Sequence, residues 1–293
     1  MKAAPFEYAR PESLAQGLAL LAEHGPDAKL IAGGQSLVPM MAMRLARPSL
    51  LIDIARLPEL QHLRAEDDCL VVGGAVRQCV LESDPQVGAA LPLLARALKW
   101  VGHPQTRNRG TAGGSIVHAD PSAEIPLVAC TLDASLVLRS AGDTRETPAR
   151  EFFFAPMVTA IAPEQCLAEI RFPRWHEPRV GTAFEEVAIR HGDFALAAVA
   201  AQVAVDADGR VTRAALGVGG AGPVPLALPE VAEGLVGRAL DEAACAEVAA
   251  ALAAELDAEG DIHASADYRR HLARVLARRA LLAAYQEACS RHE

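Results

Sequence analysis

Lys29-Leu30-Ile31-Ala32-Gly33-Gly34-Gln35-Ser36 joins a short apolar run to two glycines and a small hydroxyl residue, and the fold follows from how it is read. Residues 29–32 are predicted as a short strand, Gly33-Gly34 as the turn that ends it, and a short helix beyond. Strand, glycine turn and helix in that order make a place where backbone N–H groups converge on an anion. A second pair, Gly113-Gly114, lies in Arg107-Asn108-Arg109-Gly110-Thr111-Ala112-Gly113-Gly114-Ser115, the least regular stretch of its region, and again a hydroxyl residue follows. The two pairs suggest one shared ligand, a diphosphate held by amide donors at roughly 1.5 to 3 kcal/mol per charge-assisted bond. Such a grip needs no lysine, and the chain has only Lys2, Lys29 and Lys99. Either pair alone reads equally well as an ordinary turn.

Working outward, a short strand is expected near Phe6 to Ala9, then a helix capped by Ser13 with Leu14, Leu18 and Leu21 on one face, ended by Gly25-Pro26. Leu50 to Ile54 closes a first subdomain at about residue 56. From 57 to about 176 short strands such as 70–73 and 135–138 mix with helices around 91–101 and 122–132. Phe172-Pro173-Arg174-Trp175-His176-Glu177-Pro178 is the linker candidate, so the domains are placed at 1–176 and 177–293. Strands at 181–190, 195–205 and 212–218, divided by turn signals, form an antiparallel meander, and three helices follow. The last carries Tyr268, Leu272, Val275, Leu276, Leu282 and Ala283 as its expected core stripe, with Arg269, Arg270, Arg274, Arg278 and Arg279 on the remaining faces.

A length of 293 residues suits two domains, and a formal charge of −9 with 22% charged residues places the chain among ordinary globular proteins. The basic residues are scattered, so nucleic acid is not expected as a partner. No stretch resembles a signal peptide or a membrane span, and a cytoplasmic location is expected. Six dispersed cysteines show no metal-ligand spacing and are expected to be reduced, with no metal site.

Gly217-Val218-Gly219-Gly220-Ala221-Gly222 satisfies GxGxxG literally, but Pro223-Val224-Pro225 follows where a dinucleotide fold needs a helix, so a tight turn is expected. His118 and His191 sit beside turns and read as structural. No nucleophile-and-base set is visible, and no catalytic side chain is assigned. The sequence points to a protein that holds a cofactor.

Four ordered motifs carry a resemblance. Ala32-Gly33-Gly34-Gln35-Ser36-Leu37, Arg47-Pro48-Ser49-Leu50-Leu51-Ile52-Asp53-Ile54, the glycine stretch 107–115, and Ala119-Asp120-Pro121-Ser122-Ala123-Glu124 together resemble the FAD-binding medium subunit of molybdenum hydroxylases. That is the family of the carbon monoxide dehydrogenase medium chain and the xanthine dehydrogenase flavin domain. The resemblance continues through Phe184-Glu185-Glu186-Val187 and Gly192-Asp193-Phe194-Ala195 to Asp267-Tyr268-Arg269. It implies an α+β fold: a vanillyl-alcohol-oxidase-like (PCMH-type) FAD domain of two α/β subdomains, then a small antiparallel sheet with helices. It also implies non-covalent FAD, with the pyrophosphate gripped by Ala32, Gly33, Gly34, Gln35, Ser36 and Leu37 and by Thr111, Ala112, Gly113, Gly114 and Ser115. By the same matching Glu124 faces the adenosine side, Val101 packs beside the flavin or adenine, and Leu167 touches the isoalloxazine. Some relatives have lysine where this chain has Glu185, so that role is not transferred.

The resemblance further implies an iron–sulfur small subunit with [2Fe-2S] clusters and a molybdopterin large subunit as partners, in a heterotrimer that can double to a heterohexamer. Electrons would reach FAD from the clusters and leave to NAD⁺, a quinone or oxygen. The alternatives are a self-contained FAD oxidoreductase of the same fold and a scaffold that has lost its flavin.

Overall fold

The structure, a computed structural model, describes residues 2–291. The first unit is a small parallel sheet: β1 (Glu7–Ala9), α1 (Leu14–His24), β2 (Ala28–Ile31), α2 (Leu37–Ala42) and β3 (Leu50–Asp53), with β3 between the other two strands. Ser13 caps α1 by accepting from the Gln16 N–H at 3.2 Å. Leu14, Leu18 and Leu21 then bury one face in a small core with Ile52, as the spacing predicts.

The second unit runs β4 (Leu63–Ala65), β5 (Cys69–Gly73), α3 (Gln78–Ser83), α4 (Pro85–Ala90), α5 (Pro92–Ala97), α6 (Pro104–Arg107), α7 (Ala112–His118), α8 (Glu124–Thr131), β6 (Ser135–Arg139), β7 (Thr144–Pro148), β8 (Phe153–Ala155), β9 (Val158–Thr159) and β10 (Cys166–Pro173). Its sheet has the order β4-β5-β10-β6-β7, antiparallel throughout, and β8-β9 make a separate hairpin. The glycine stretch expected to be irregular is half helix. Thr111 caps α7 by accepting from the Gly114 N–H at 3.0 Å, so both glycines of the second pair lie in the first helical turn.

The third unit is the expected meander, β11 (Val180–Ala188), β12 (Ala195–Val205), β13 (Val211–Gly219) and β14 (Leu226–Ala227), followed by α9 (Pro229–Glu233), α10 (Glu242–Glu255) and α11 (Ala266–Ser290). Every residue of β12 is buried, because one face packs on the core around α5 and α8 and the other on α10 and α11. That double coverage explains its near-continuous apolar run, broken only by the buried Gln202.

The core stripe of α11 differs from expectation. Its buried residues are Arg269, Leu272, Ala273, Leu276, Ala277, Ala280, Leu281, Ala284 and Ala288, whereas Tyr268 and Ala283 are exposed. Small residues face the sheet because helix and strand nearly touch: a Cβ at Gly181 would overlap the Ala284 carbonyl. Arg269, assigned to an outer face, is therefore buried. The GxGxxG segment is a turn as expected: β13 runs through Gly219, Gly220 takes φ +72°, and the next helix begins only at Pro229.

Candidate functional site

A cleft of about 1210 Å³ runs between the three units. One end is walled by Leu21, Leu30 and Ile54 of the first unit, and the other by Phe194, Leu196 and the 220–223 turn. Both glycine pairs meet along its middle. Ala32, Gly33, Gly34, Gln35, Ser36, Leu37, Val101, Thr111, Gly113, Gly114, Ser115, Glu124 and Leu167 all line it. Ala112 does not: it is fully buried and its N–H donates to the Val76 carbonyl at 2.9 Å.

The two glycine pairs do different things. Around the first, the N–H groups of residues 33 to 37 have no protein acceptor among the described residues, although Gly34 and Ser36 accept from Val38 and Met40 at the start of α2. Five successive free donors ahead of a short helix make an anion cradle. A Cβ on Gly33 would overlap the Arg109 carbonyl, so only glycine lets this turn settle onto the backbone leading to the second pair.

At the second pair the amides are already engaged. Gly113 donates to the Gly74 carbonyl at 3.0 Å and Gly114 to the Thr111 hydroxyl. A Cβ on Gly113 would lie 2.5 Å from that Gly74 oxygen. The amides of Ala112, Gly113, Gly114 and Ser115 are thus engaged within the protein, where the sequence reading expects donors to a ligand: the glycines let α7 pack on the turn after β5, and the Thr111 N–H and the Ser115 hydroxyl are the groups there without a partner among the described residues.

Some residues of the cleft were not picked out in sequence. Gly74 packs so closely that a Cβ would overlap the Leu167 carbonyl, at the bulge between Leu167 and Glu169. Arg269, 7% exposed, donates to the carbonyls of Leu196 (2.8 Å) and Gly220 (2.6 Å) and to Asp261 (2.8 Å), fixing three segments of the far wall. The Asp261 carboxylate also accepts from the His263 and Ala264 N–H groups, and these bonds hold it down at about 2. Only the Asp267-Tyr268-Arg269 motif hinted at this arginine. The GxGxxG turn, besides ending β13, supplies Gly220 to Pro223 to the wall.

Glu185 does not line the cleft. Its side chain faces α11 and pairs with Arg279 at 3.1 Å. Its neighbour Glu186 points the other way, toward the core that holds Phe184 and α8. Burial pushes Glu124 up to about 7, with Asp120 adding repulsion against the pull of its own N–H and of Arg107. Burial and the nearby Glu124 push Glu186 up to about 9. His118 lines the cleft at the end of α7, and His191 stacks edge-on against Trp100 with centroids 6.0 Å apart. Among the described residues there is no metal-binding cluster and all six cysteines are free.

Residues 4–175 match the FAD binding domain in molybdopterin dehydrogenase, and residues 182–284 match the CO dehydrogenase flavoprotein C-terminal domain. Fold and cleft thus define a flavin-binding subunit of the molybdopterin-dehydrogenase type. The 6-hydroxypseudooxynicotine dehydrogenase complex subunit alpha of Paenarthrobacter nicotinovorans is 38% identical over 98% of this chain and 97% of that protein. The carbon monoxide dehydrogenase medium chain of Hydrogenophaga pseudoflava is 37% identical over 96% and 97%. A solved structure of carbon monoxide dehydrogenase from that organism superposes with a TM-score of 0.94 at 36% identity, covering 98% of this chain and 99% of that one. Quinoline 2-oxidoreductase from Pseudomonas putida 86 gives 0.93 at 35%, covering 99% and 100%. The chain belongs to the family of FAD-binding medium subunits of molybdenum hydroxylases, and it is an oxidoreductase subunit.

The residues present fit FAD. The cleft exceeds the roughly 300 to 1,000 Å³ of common small-molecule sites, the cradle offers donors to a diphosphate, and each end has an apolar wall for a ring system.

Proposed function

We propose that this chain holds FAD non-covalently across the cleft, takes electrons one at a time from [2Fe-2S] clusters of a small partner subunit, and passes them to an external acceptor. A large molybdopterin subunit would carry the substrate chemistry, in a heterotrimer able to pair into a hexamer. No helix among the described residues is long and apolar enough to cross a membrane. Six free cysteines suit a reducing cytoplasm.

The observation that carries the reading is the run of five unpartnered amides from Gly33 to Leu37, residues that line the cleft. These donors bind the diphosphate, with the Ser115 hydroxyl beside them. Leu21, Leu30 and Ile54 exclude water from one end, and Val101 and Leu167 add apolar walls. FAD bound there supplies two-electron storage with one-electron exchange.

Purification tests it. The chain should be yellow, release FAD on denaturation and co-purify with an iron–sulfur chain and a molybdenum chain. A colourless chain that cannot be reconstituted with FAD rules the reading out. A yellow chain that oxidises an organic substrate alone supports the self-contained oxidoreductase instead.

A further inference from the structure

The parallel sheet of the first unit is covered unequally. Its side chains alternate, so Ala9, Leu30 and Ile52 face α1 while Tyr8, Ile31 and Asp53 face the other way. Parallel sheets are normally buried on both faces. Here the second face is sealed at its centre, where Leu51 is buried, and open beside it: Tyr8, Ile31 and Asp53 wall a cavity of about 590 Å³ with Val38 and Pro39 of α2. Tyr8 and Val38 are exposed, as are Phe6, Met43 and Leu45 on the segments beside them. Arg44 ties those segments together by donating to the Lys2 carbonyl at 3.3 Å. Apolar residues gathered on the surface in this way mark a face that another molecule covers.

The charge of the face says what that molecule carries. Arg56, Arg77 and Arg109 line the same cavity, and none of them pairs with a carboxylate among the described residues; Arg77 donates to the Asn108 carbonyl at 3.1 Å. The single carboxylate in the lining, Asp53, is occupied by the Tyr8 hydroxyl and the Ala55 N–H. A chain of net charge −9 thus keeps three guanidinium groups without counter-ions on one apolar-framed face. The exposed Ile189 and Phe194 at the far wall of the cleft sit instead among Asp193, Glu259 and Asp261. An acidic partner is drawn to the first face and repelled by the second.

Gly33, Gly34 and Gln35 line this cavity and the FAD cleft alike, so one turn is the wall between them. Of the partner subunits, only the electron donor has to sit against the flavin cleft. Resting on the FAD reading, we propose that this open sheet face docks the iron–sulfur subunit, which presents carboxylates to Arg56, Arg77 and Arg109 and apolar side chains to Tyr8 and Val38.

The test uses the FAD-loaded full chain and the native complex, with flavin content measured first. Reversing two charges, Arg56→Glu with Arg109→Glu, should weaken binding of the iron–sulfur subunit roughly 10- to 100-fold, while Arg274→Glu on the outer side of α11 leaves it within about twofold. Added salt should weaken the unmodified pair more than the reversed one. Should the double variant lose FAD, Arg56→Glu alone decides, since Arg56 does not line the cleft. Hydrogen exchange of the unmodified complex decides independently: residues 6–9 and 35–39 should be protected when the iron–sulfur subunit is bound. Unchanged affinity or absent protection overturns the docking proposal. Protection given there by the molybdenum subunit or by a second copy of this chain, without the iron–sulfur subunit, overturns it too. A chain without FAD whose iron–sulfur subunit still docks at this face overturns the FAD reading alone, and an unmodified chain that binds no iron–sulfur subunit overturns both.

Discussion

Gly33 rests directly on the carbonyl of Arg109, with no room for a Cβ between them. One turn of the first unit is thereby seated on the turn between α6 and α7 in the second, and residues 33 to 37, with their free amides, are held along the cleft.

Replacing Gly33 with alanine forces those backbones apart and rotates the amides away from their common focus. The strain is about 1 to 3 kcal/mol, corresponding to roughly 5- to 150-fold weaker FAD binding. A flavin-fluorescence titration of the FAD-free protein measures it. Unchanged affinity would mean the turn does not hold the diphosphate.

Gly113→Val should act without any cofactor. The new side chain meets the Gly74 backbone, so the FAD-free protein itself should lose about 1 to 3 kcal/mol or more and melt several degrees earlier. If the melting temperature of the FAD-free protein stays put while FAD is lost, the glycine serves ligand approach and not helix packing.

Arg269→Leu strips the Leu196 and Gly220 carbonyls of their donor. Breaking a buried charged network costs about 3 to 5 kcal/mol, and the half-exposed Asp261 partner puts the expected loss nearer 2 to 3. Denaturant midpoints report it. Asp261 adds an acid signature: its carboxylate is held below its unfolded value, so its contribution is complete above about pH 4 and fades as pH falls toward about 2. Asp261→Asn should flatten stability across that window.

Glu186 works in the opposite sense. Its acidity is weakened by folding, so the cost of keeping it neutral is absent below about pH 4.5 and grows as pH rises toward about 9. Glu186→Gln should match the unmodified protein near pH 4.5 and exceed it at pH 8 by roughly 2 to 4 kcal/mol. Parallel thermal melts at the two pH values check this, and equal melts at pH 8 would contradict it.

Local signals carried far in this sequence. Ser13, Gly25-Pro26 and the 191–193 and 208–209 turns mark real element ends, because caps and turns depend on a few neighbouring residues. The glycine pairs led to the cleft. What they do there was half visible, since Thr111 capping a helix onto Gly114 makes a helical turn resemble a loop in composition. The α11 stripe was misplaced because hydrophobic spacing favours large residues, while this helix approaches β11 and β12 through alanines. The packing of the Phe184 and Glu186 face of β11 toward α8 depends on the third unit folding back on the second, which no local pattern records.

The far wall of the cleft is tied by Arg269, on the last helix, whereas the diphosphate cradle begins at Gly33. During synthesis the cradle emerges from the ribosome long before its opposing wall exists. The cleft is therefore complete only once α11 has been made and has folded back over the earlier units.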